Sequence, residues 1–465
     1  MIASHTRRSL VALLFVLIVA ATATTSIASA DEMAATRFVS MSDIHFDPFY
    51  DPSLVTRLAG ADVSGWAAIF ASSTITAPSA YGADTNYPLL ASFLADVKTR
   101  AADAHFATIT GDILAHDFRQ TFQRYVPDGS DADYRAFVAK TVQFVAMQMR
   151  TALPHLQIFP VLGNNDSDCG DYEVTPGGAF LTTFAKAWQP SLRAKTFVKQ
   201  FATGGYYTAP APLPKTIVIG LNSIYFAPGY DNACGDPDSD VDPGAVELRW
   251  LARQLASARA RHEHVWLLFH IPPGIDIHKT VQEEASHSAP VSMWKSSYTS
   301  RFDRLMRRYA STVTVSLAGH THTDEFRLLT SSYVHVTPAV SPLFGNNPAY
   351  ETVTYSKHDA RLLDYSVIEL PADGATGGAW RTEYTFSSTY HQPAYTKATL
   401  DAVRAAIEND ATARTHYFDY YGVSNPAVTT GIEVNGRAYW CGIGSQTPAA
   451  FSKCFTPPPT ATSTP

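Results

Sequence analysis

Short apolar, β-branched runs recur along this chain, and each stops at polar side chains capable of metal binding or acid–base work. Arg37 to Met41 leads into Ser42, Asp43, Ile44 and His45, and Phe106 to Ile109 leads into Thr110, Gly111 and Asp112. Ile158 to Leu162 leads into Gly163, Asn164, Asn165 and Asp166. Val265 to Phe269 ends at His270, and Val313 to Leu317 runs up to Gly319, His320, Thr321 and His322. Near-continuous apolar runs of this length fit strands buried on both faces. Helix-like stretches separate them: Tyr87 to Ala101, Asp131 to Thr151, Ala245 to Ala260 and Trp294 to Ala310. The alternation predicts a layered α/β domain. In such sheets the ligand site gathers beyond the carboxyl ends of the strands, where all of these polar clusters fall.

Past His322 the pattern turns strand-rich. Glu325 to Leu329, Tyr333 to Pro338, Tyr350 to Ser356, Leu363 to Leu370 and Trp380 to Phe386 read as strands that complete a second sheet of the same domain. From about Pro393 a helical stretch, Lys397 to Glu408, leads to Tyr-rich sequence and a loop-like segment holding Cys441 and Cys454. The expected organisation is an export segment 1–30, a catalytic domain 31–392, a small helical, disulfide-containing subdomain 393–455 and an unstructured Pro/Thr-rich tail 456–465.

The export reading rests on Arg7 and Arg8 ahead of the apolar run Leu10 to Ala20, with small residues ending in Ala28-Ser29-Ala30. That run is short for a bilayer-spanning helix, and no later segment reads as transmembrane. A secreted or periplasmic protein is expected. The cysteines suit that compartment: Cys441 pairs with Cys454 and Cys169 with Cys234, while a competing Cys zinc site would want a CxxC that is missing. The net charge of −7 gives no electrostatic footprint for nucleic acid, so no specific nucleic-acid binding is expected. A polyanionic substrate would need a local basic or metal site instead.

The ligand inventory supplies one. Asp43 and His45, spaced by two on a strand end, put an oxygen and a nitrogen donor on one side, and His320 and His322 repeat the arrangement. Asp112 follows Gly111 at another strand end and has two oxygens with which to bridge two ions; Asn164 offers an amide oxygen and His270 an imidazole. Mixed imidazole and oxygen donors without thiolates suit Zn²⁺, Mn²⁺ or Fe.

The ordered set Asp-x-His, Gly-Asp, Gly-Asn-x-Asp, His and Gly-His-x-His resembles the calcineurin-like metallophosphoesterases. Within them it is most similar to the acid sphingomyelinase and sphingomyelinase-like phosphodiesterase branch. Asp43 to Tyr50, Thr110 to Asp117, His270 to Gly274 and Gly319 to Phe326 carry the likeness. Gly163-Asn164-Asn165-Asp166 is similar instead to the endopolyphosphatases of the same superfamily. The resemblance implies a four-layer α/β/β/α sandwich and a dinuclear centre, usually zinc, whose ions share a nucleophilic hydroxide. It implies that Asp43, His45, Asp112 and His322 hold one ion, that Asp112, Asn164, His270 and His320 hold the other, and that His116 helps protonate the leaving group.

Two departures bear on the substrate. The branch has a histidine directly after the ligand Asn, where this chain has Asn165, and no saposin-like lipid-capturing segment is seen ahead of Asp43. Purple acid phosphatases carry a metal-binding Tyr three residues after the bridging Asp; here Ala115 stands there, so no iron–tyrosinate centre is expected. The function expected is that of a phosphodiesterase on a small or lipid-linked diester. The alternatives are an endopolyphosphatase or nucleotide phosphoanhydride hydrolase and, from a different class, a binding or adhesion protein that keeps the metal fold.

Overall fold

The computed structural model describes residues 35–232, 234–235, 241–284, 289–371 and 378–456. The expected export segment 1–30 and the tail beyond Thr456 therefore lie outside the described residues. Twelve strands follow in chain order. The first six are β1 (Ala35–Met41), β2 (Ala104–Ile109), β3 (Gln157–Pro160), β4 (Tyr207–Pro210), β5 (Thr216–Gly220) and β6 (His264–Leu268). The rest are β7 (Val313–Ala318), β8 (Glu325–Leu328), β9 (Tyr333–Val336), β10 (Ala349–Ser356), β11 (Leu362–Glu369) and β12 (Arg381–Thr385).

They form two sheets, ordered β12-β11-β10-β1-β2-β3 and β4-β5-β6-β7-β9-β8. One has a parallel core β1-β2-β3 with antiparallel strands on the β1 side, and the other has β5-β6-β7-β9 parallel with β4 and β8 antiparallel at its edges. The late strands do not build one second sheet as expected. β8 and β9 extend the sheet of β7, while β10 to β12 cross back and pair antiparallel beside β1. An apolar alternation records burial but not which free sheet edge a strand reaches, so the sequence left this undecided.

The sheets pack face to face through aromatic rings. Trp266 of β6 lies 5.1 Å from Phe38 of β1, 5.3 Å from Phe106 of β2 and 5.3 Å from Tyr355 of β10. Its indole nitrogen donates to the carbonyl of Ala360 at 2.8 Å, which satisfies the one polar atom that burial would otherwise strand. Helices cover the outer faces. Tyr87–Arg100 sets Phe93 against Tyr350 of β10, with Asp131–Ala152 beside it; Pro243–Ala260 lies on β6 and Ser296–Arg308 next to it. These give the expected α/β/β/α layering.

The C-terminal region is more helical than the sequence reading had it. Cys441 and Cys454 sit on two short helices, Gly436–Gly444 and Pro448–Phe455, and not in a loop. Asn435 starts the first and Thr447 caps the second through its hydroxyl. Both expected disulfides are present, Cys169–Cys234 and Cys441–Cys454. The terminal helices dock on the β8 edge, where Gln446 donates to the Leu328 carbonyl at 3.1 Å and the Asp324 amide donates to the Tyr421 carbonyl at 3.1 Å. No helix among the described residues is long and apolar enough to cross a membrane.

Because Trp266 joins both sheets, Trp266→Ala should cost about 3–5 kcal/mol of stability. A lowered urea midpoint with unchanged m-value would register it.

Candidate metal centre

The carboxyl ends of the two parallel cores meet at one edge of the sandwich. Backbone bonds fix the meeting: the Asp43 amide donates to the Gly111 carbonyl at 3.1 Å, the His45 amide to the Asp112 carbonyl at 2.9 Å and the Gly319 amide to the His270 carbonyl at 2.9 Å. The Thr110 hydroxyl, which can donate only one proton, lies within reach of both Ser42 Oγ (2.7 Å) and the Ala318 carbonyl (3.2 Å), one on each sheet.

All seven expected ligands converge there, yet the strand-periodicity argument is not what brings them together. Asp43, His45, Asp112, His320 and His322 have positive φ, at 49°, 43°, 53°, 78° and 60°. Each sits past the last extended residue in a left-handed turn, a conformation open to Asp and His at a cost of about 1–3 kcal/mol apiece. Such strain concentrates where side chains must be aimed. Gly163 shows the crowding, since a Cβ there would run into Asp112 Oδ1.

The donors divide into two groups around one carboxylate. On one side His45 Nε2 lies 3.0 Å from His322 Nε2, and Asp43 Oδ1 lies 3.7 Å and 3.5 Å from those two atoms. On the other His270 Nε2 lies 3.0 Å from Asn164 Oδ1 and 3.2 Å from His320 Nδ1. Asp112 Oδ2 reaches both, at 3.4 Å from His45 Nε2 and 3.1 Å from His270 Nε2.

The hydrogen bonds behind these rings set their tautomers. His45 Nδ1 donates to the Leu114 carbonyl at 2.9 Å and His270 Nδ1 to the Thr110 carbonyl at 2.7 Å. In the neutral rings both Nε2 atoms then carry lone pairs, and these face other lone pairs on carboxylate, amide and imidazole. His322 Nδ1 is buried without a hydrogen-bond partner. Lone pairs crowded in this way repel unless positive charge, whether metal ions or protons on the rings, lies among them, and the donor set fits two metal ions.

No protein-family model matches the chain. It is 25% identical to cyclic GMP-AMP phosphodiesterase SMPDL3A of Mus musculus over 92% of its own length and 94% of the relative's. It is 23% identical to acid sphingomyelinase-like phosphodiesterase 3b of Homo sapiens, covering 84% of each chain. With sphingomyelinase phosphodiesterase D of Dictyostelium discoideum it shares 25% identity over 67% of this chain and 66% of that one. The chain is thus similar, over most of its length, to acid sphingomyelinase-like phosphodiesterases.

The structure gives Asn165 a task of its own. Its backbone amide donates to Asp112 Oδ1 at 2.8 Å and its side-chain amide to Asp112 Oδ2 at 3.0 Å. The residue braces the shared carboxylate. His116 does not pack on Phe118, the bland alternative for a loop histidine. Its ring stacks on His45 at 4.0 Å, and its Nδ1 lies 3.2 Å from both oxygens of Asp84. Asp84 also accepts from the His116 amide at 2.8 Å and the Ser341 hydroxyl at 2.8 Å. Nothing in the sequence around Asp84 marked it.

Asp171 was missed in the same way, while Asp166 and Asp324 stood within the quoted motifs with no role assigned to them. Asp171 takes the Asn164 amide NH₂ at 2.7 Å, which turns the Asn164 oxygen toward His270. Asp166 accepts the amides of Ile113 at 2.8 Å and Gly163 at 2.9 Å, pinning the two loops together. Asp324 takes the hydroxyls of Tyr365 and Tyr384 and so anchors the turn that carries His322.

Burial works against charge on every one of these groups, and the site overrides it selectively. Asp112 holds the imidazolium of His45 up to about 10 and that of His270 up to about 9. Burial pushes His320 and His322 down to about 3. Burial also opposes ionisation of Asp43 and Asp112, yet His270 keeps both well below the usual carboxylate range. In the metal-free protein, protons on His45 and His270 stand where cations would. Loading the metal-free protein with Zn²⁺ near neutral pH should therefore release about two protons. A pH-stat trace during titration reads this directly, and an absence of release would mean that both rings are already neutral in the metal-free protein.

Proposed function

We propose that the chain is an exported two-metal phosphodiesterase in which Asp43, His45, Asp112 and His322 hold one ion and Asp112, Asn164, His270 and His320 the other. The observation that carries the reading is the pair of lone-pair clusters sharing Asp112 Oδ2. Zn²⁺ matches the imidazole and oxygen donors, with Mn²⁺ or Fe also suited. Two such ions would supply Lewis-acid polarisation of the phosphoryl oxygens and a water made acidic enough to attack at neutral pH.

The chain's own residues do the rest. Asn165 and the backbone turn at Gly163 hold the Asp112 carboxylate in its bridging attitude. His116, oriented by Asp84, has Nε2 free to give a proton to the departing ester oxygen. Asp84 is thus a positioning residue. His116 is 27% exposed, so a substrate can reach it, while every proposed metal ligand except the half-buried His320 is buried.

The relatives named for cyclic GMP-AMP and for sphingomyelin both cleave diesters by their names, which supports a diester as substrate here. Two disulfides support an oxidising, extracytoplasmic compartment. The Gly-Asn-Asn-Asp motif lends no weight to an endopolyphosphatase, because both asparagines have structural tasks at Asp112 and His270. A binding protein without activity would not need a complete donor set.

Zinc-loaded protein should hydrolyse bis(4-nitrophenyl) phosphate faster than 4-nitrophenyl phosphate, and Asp112→Asn should abolish both. Turnover of neither ester with two ions bound would count against the phosphodiesterase. His116→Ala should slow diesters with alkoxide leaving groups by about 10²–10⁴-fold and nitrophenyl esters far less. Asp84→Asn should show the same leaving-group dependence in weaker form. Equal slowing of both ester types would remove His116 from proton transfer.

A further inference from the structure

Phe344 is the only Phe, Tyr or Trp among the described residues that is exposed, with 56% of its surface open. A phenyl ring left in water is unremarked on most surfaces, but this one stands at the mouth of the metal centre. Its ring centroid lies 4.6 Å from that of His322 and 5.4 Å from that of His116, nearly perpendicular to both at 72° and 86°. It therefore borders the histidine assigned to the leaving group and a ligand of the neighbouring ion.

The loop that carries Phe344 is held to the catalytic apparatus at both ends. The Ser341 amide donates to the Asp43 carbonyl at 3.0 Å, and the Ser341 hydroxyl donates at 2.8 Å to Asp84, the carboxylate that orients His116. The Gly345 amide closes a turn on the Pro342 carbonyl at 3.1 Å, the Pro342 carbonyl also accepts from the Gly82 amide at 3.2 Å, and the Asn425 side chain donates to the Gly345 carbonyl. A ring presented on so tethered a turn costs little further ordering when a ligand lands on it.

We propose that Phe344 is the specificity-determining platform of the leaving-group side and that it selects a leaving group bearing a flat aromatic ring of the nucleobase kind. The proposal rests on the phosphodiesterase reading, in which the bond broken is the phosphorus–oxygen bond next to His116. Aromatic stacking or edge contact favours a flat π system on such a ring. A lipid chain would need an apolar trough. Besides Phe344, only Val241 and Val434 are exposed large hydrophobic side chains among the described residues, too few for such a trough. A bare polyphosphate chain would gain nothing from a phenyl ring.

The test compares kcat/KM of the zinc-loaded protein for thymidylyl-thymidine with analogues lacking one base or the other, which keep the same alkoxide leaving group. The products identify which nucleoside departs. We expect about a tenfold preference for the base-bearing leaving nucleoside, about 1.4 kcal/mol. Phe344→Trp should keep the preference, and Phe344→Leu and Phe344→Ala should bring the ratio to about one. Any general disturbance of His116 cancels in that ratio. A wild-type ratio near one, or a preference that survives Phe344→Ala, overturns the platform and leaves the phosphodiesterase standing. Equilibrium binding of the uncleavable methylphosphonate analogues, with and without the base, separates the other cases. Base-dependent binding lost in Phe344→Ala without turnover in the wild type keeps the platform and rejects the phosphodiesterase. Neither turnover nor base-dependent binding rejects both.

Discussion

The carboxylate of Asp112 is buried at the seam between the two sheets and meets imidazole nitrogens from both, His45 from one and His270 from the other. Everything near it answers to that placement. A lone buried carboxylate is costly, and a buried carboxylate facing unprotonated nitrogens is costlier still, so the site is consistent only with positive charge between the groups. The backbone accepts left-handed turns at Asp43, His45, Asp112, His320 and His322 to aim the donors, and Gly163 gives up its side chain to make room. The price is met elsewhere, in the apolar packing of the sandwich.

That packing also sets the geometry of the seam. Trp266 reaches from one sheet into a cage of Phe38, Phe106 and Tyr355 on the other, and the strands bearing Phe38, Phe106 and Trp266 are those that lead to His45, Asp112 and His270. Face-to-face packing this close fixes the spacing of the strand ends as well as of their middles. Thr110, with bonding partners on both sheets, continues the same registration into the site. A wide sandwich of the same sequence pattern would hold the same donors apart.

A second layer of carboxylates turns the ligands and neighbours to their tasks. Asp84 orients His116, Asp171 turns the Asn164 amide and Asp166 clamps the loops of Asp112 and Asn164. Asn165 joins this layer by donating twice to Asp112. His116 and Phe344 adjoin at the mouth of the site, both secured through Asp84 and Ser341.

The amino-acid order by itself determined the strands of the parallel cores, the helices between them, the pairing of the cysteines and the seven candidate donors that the structure brings together. These follow from local patterns: apolar runs that can only be buried on both faces, and Asp, Asn and His at their ends. Tertiary structure alone decided which sheet the late strands joined and that the ligands sit in left-handed turns instead of on extended strand ends. It also decided that Asn165 serves Asp112 and that Asp84, undistinguished in sequence, governs His116. The reason is range. His45 and His322 stand 277 residues apart and meet at 3.0 Å only because two stacked sheets bring their strand ends to one edge, and no local periodicity carries that information.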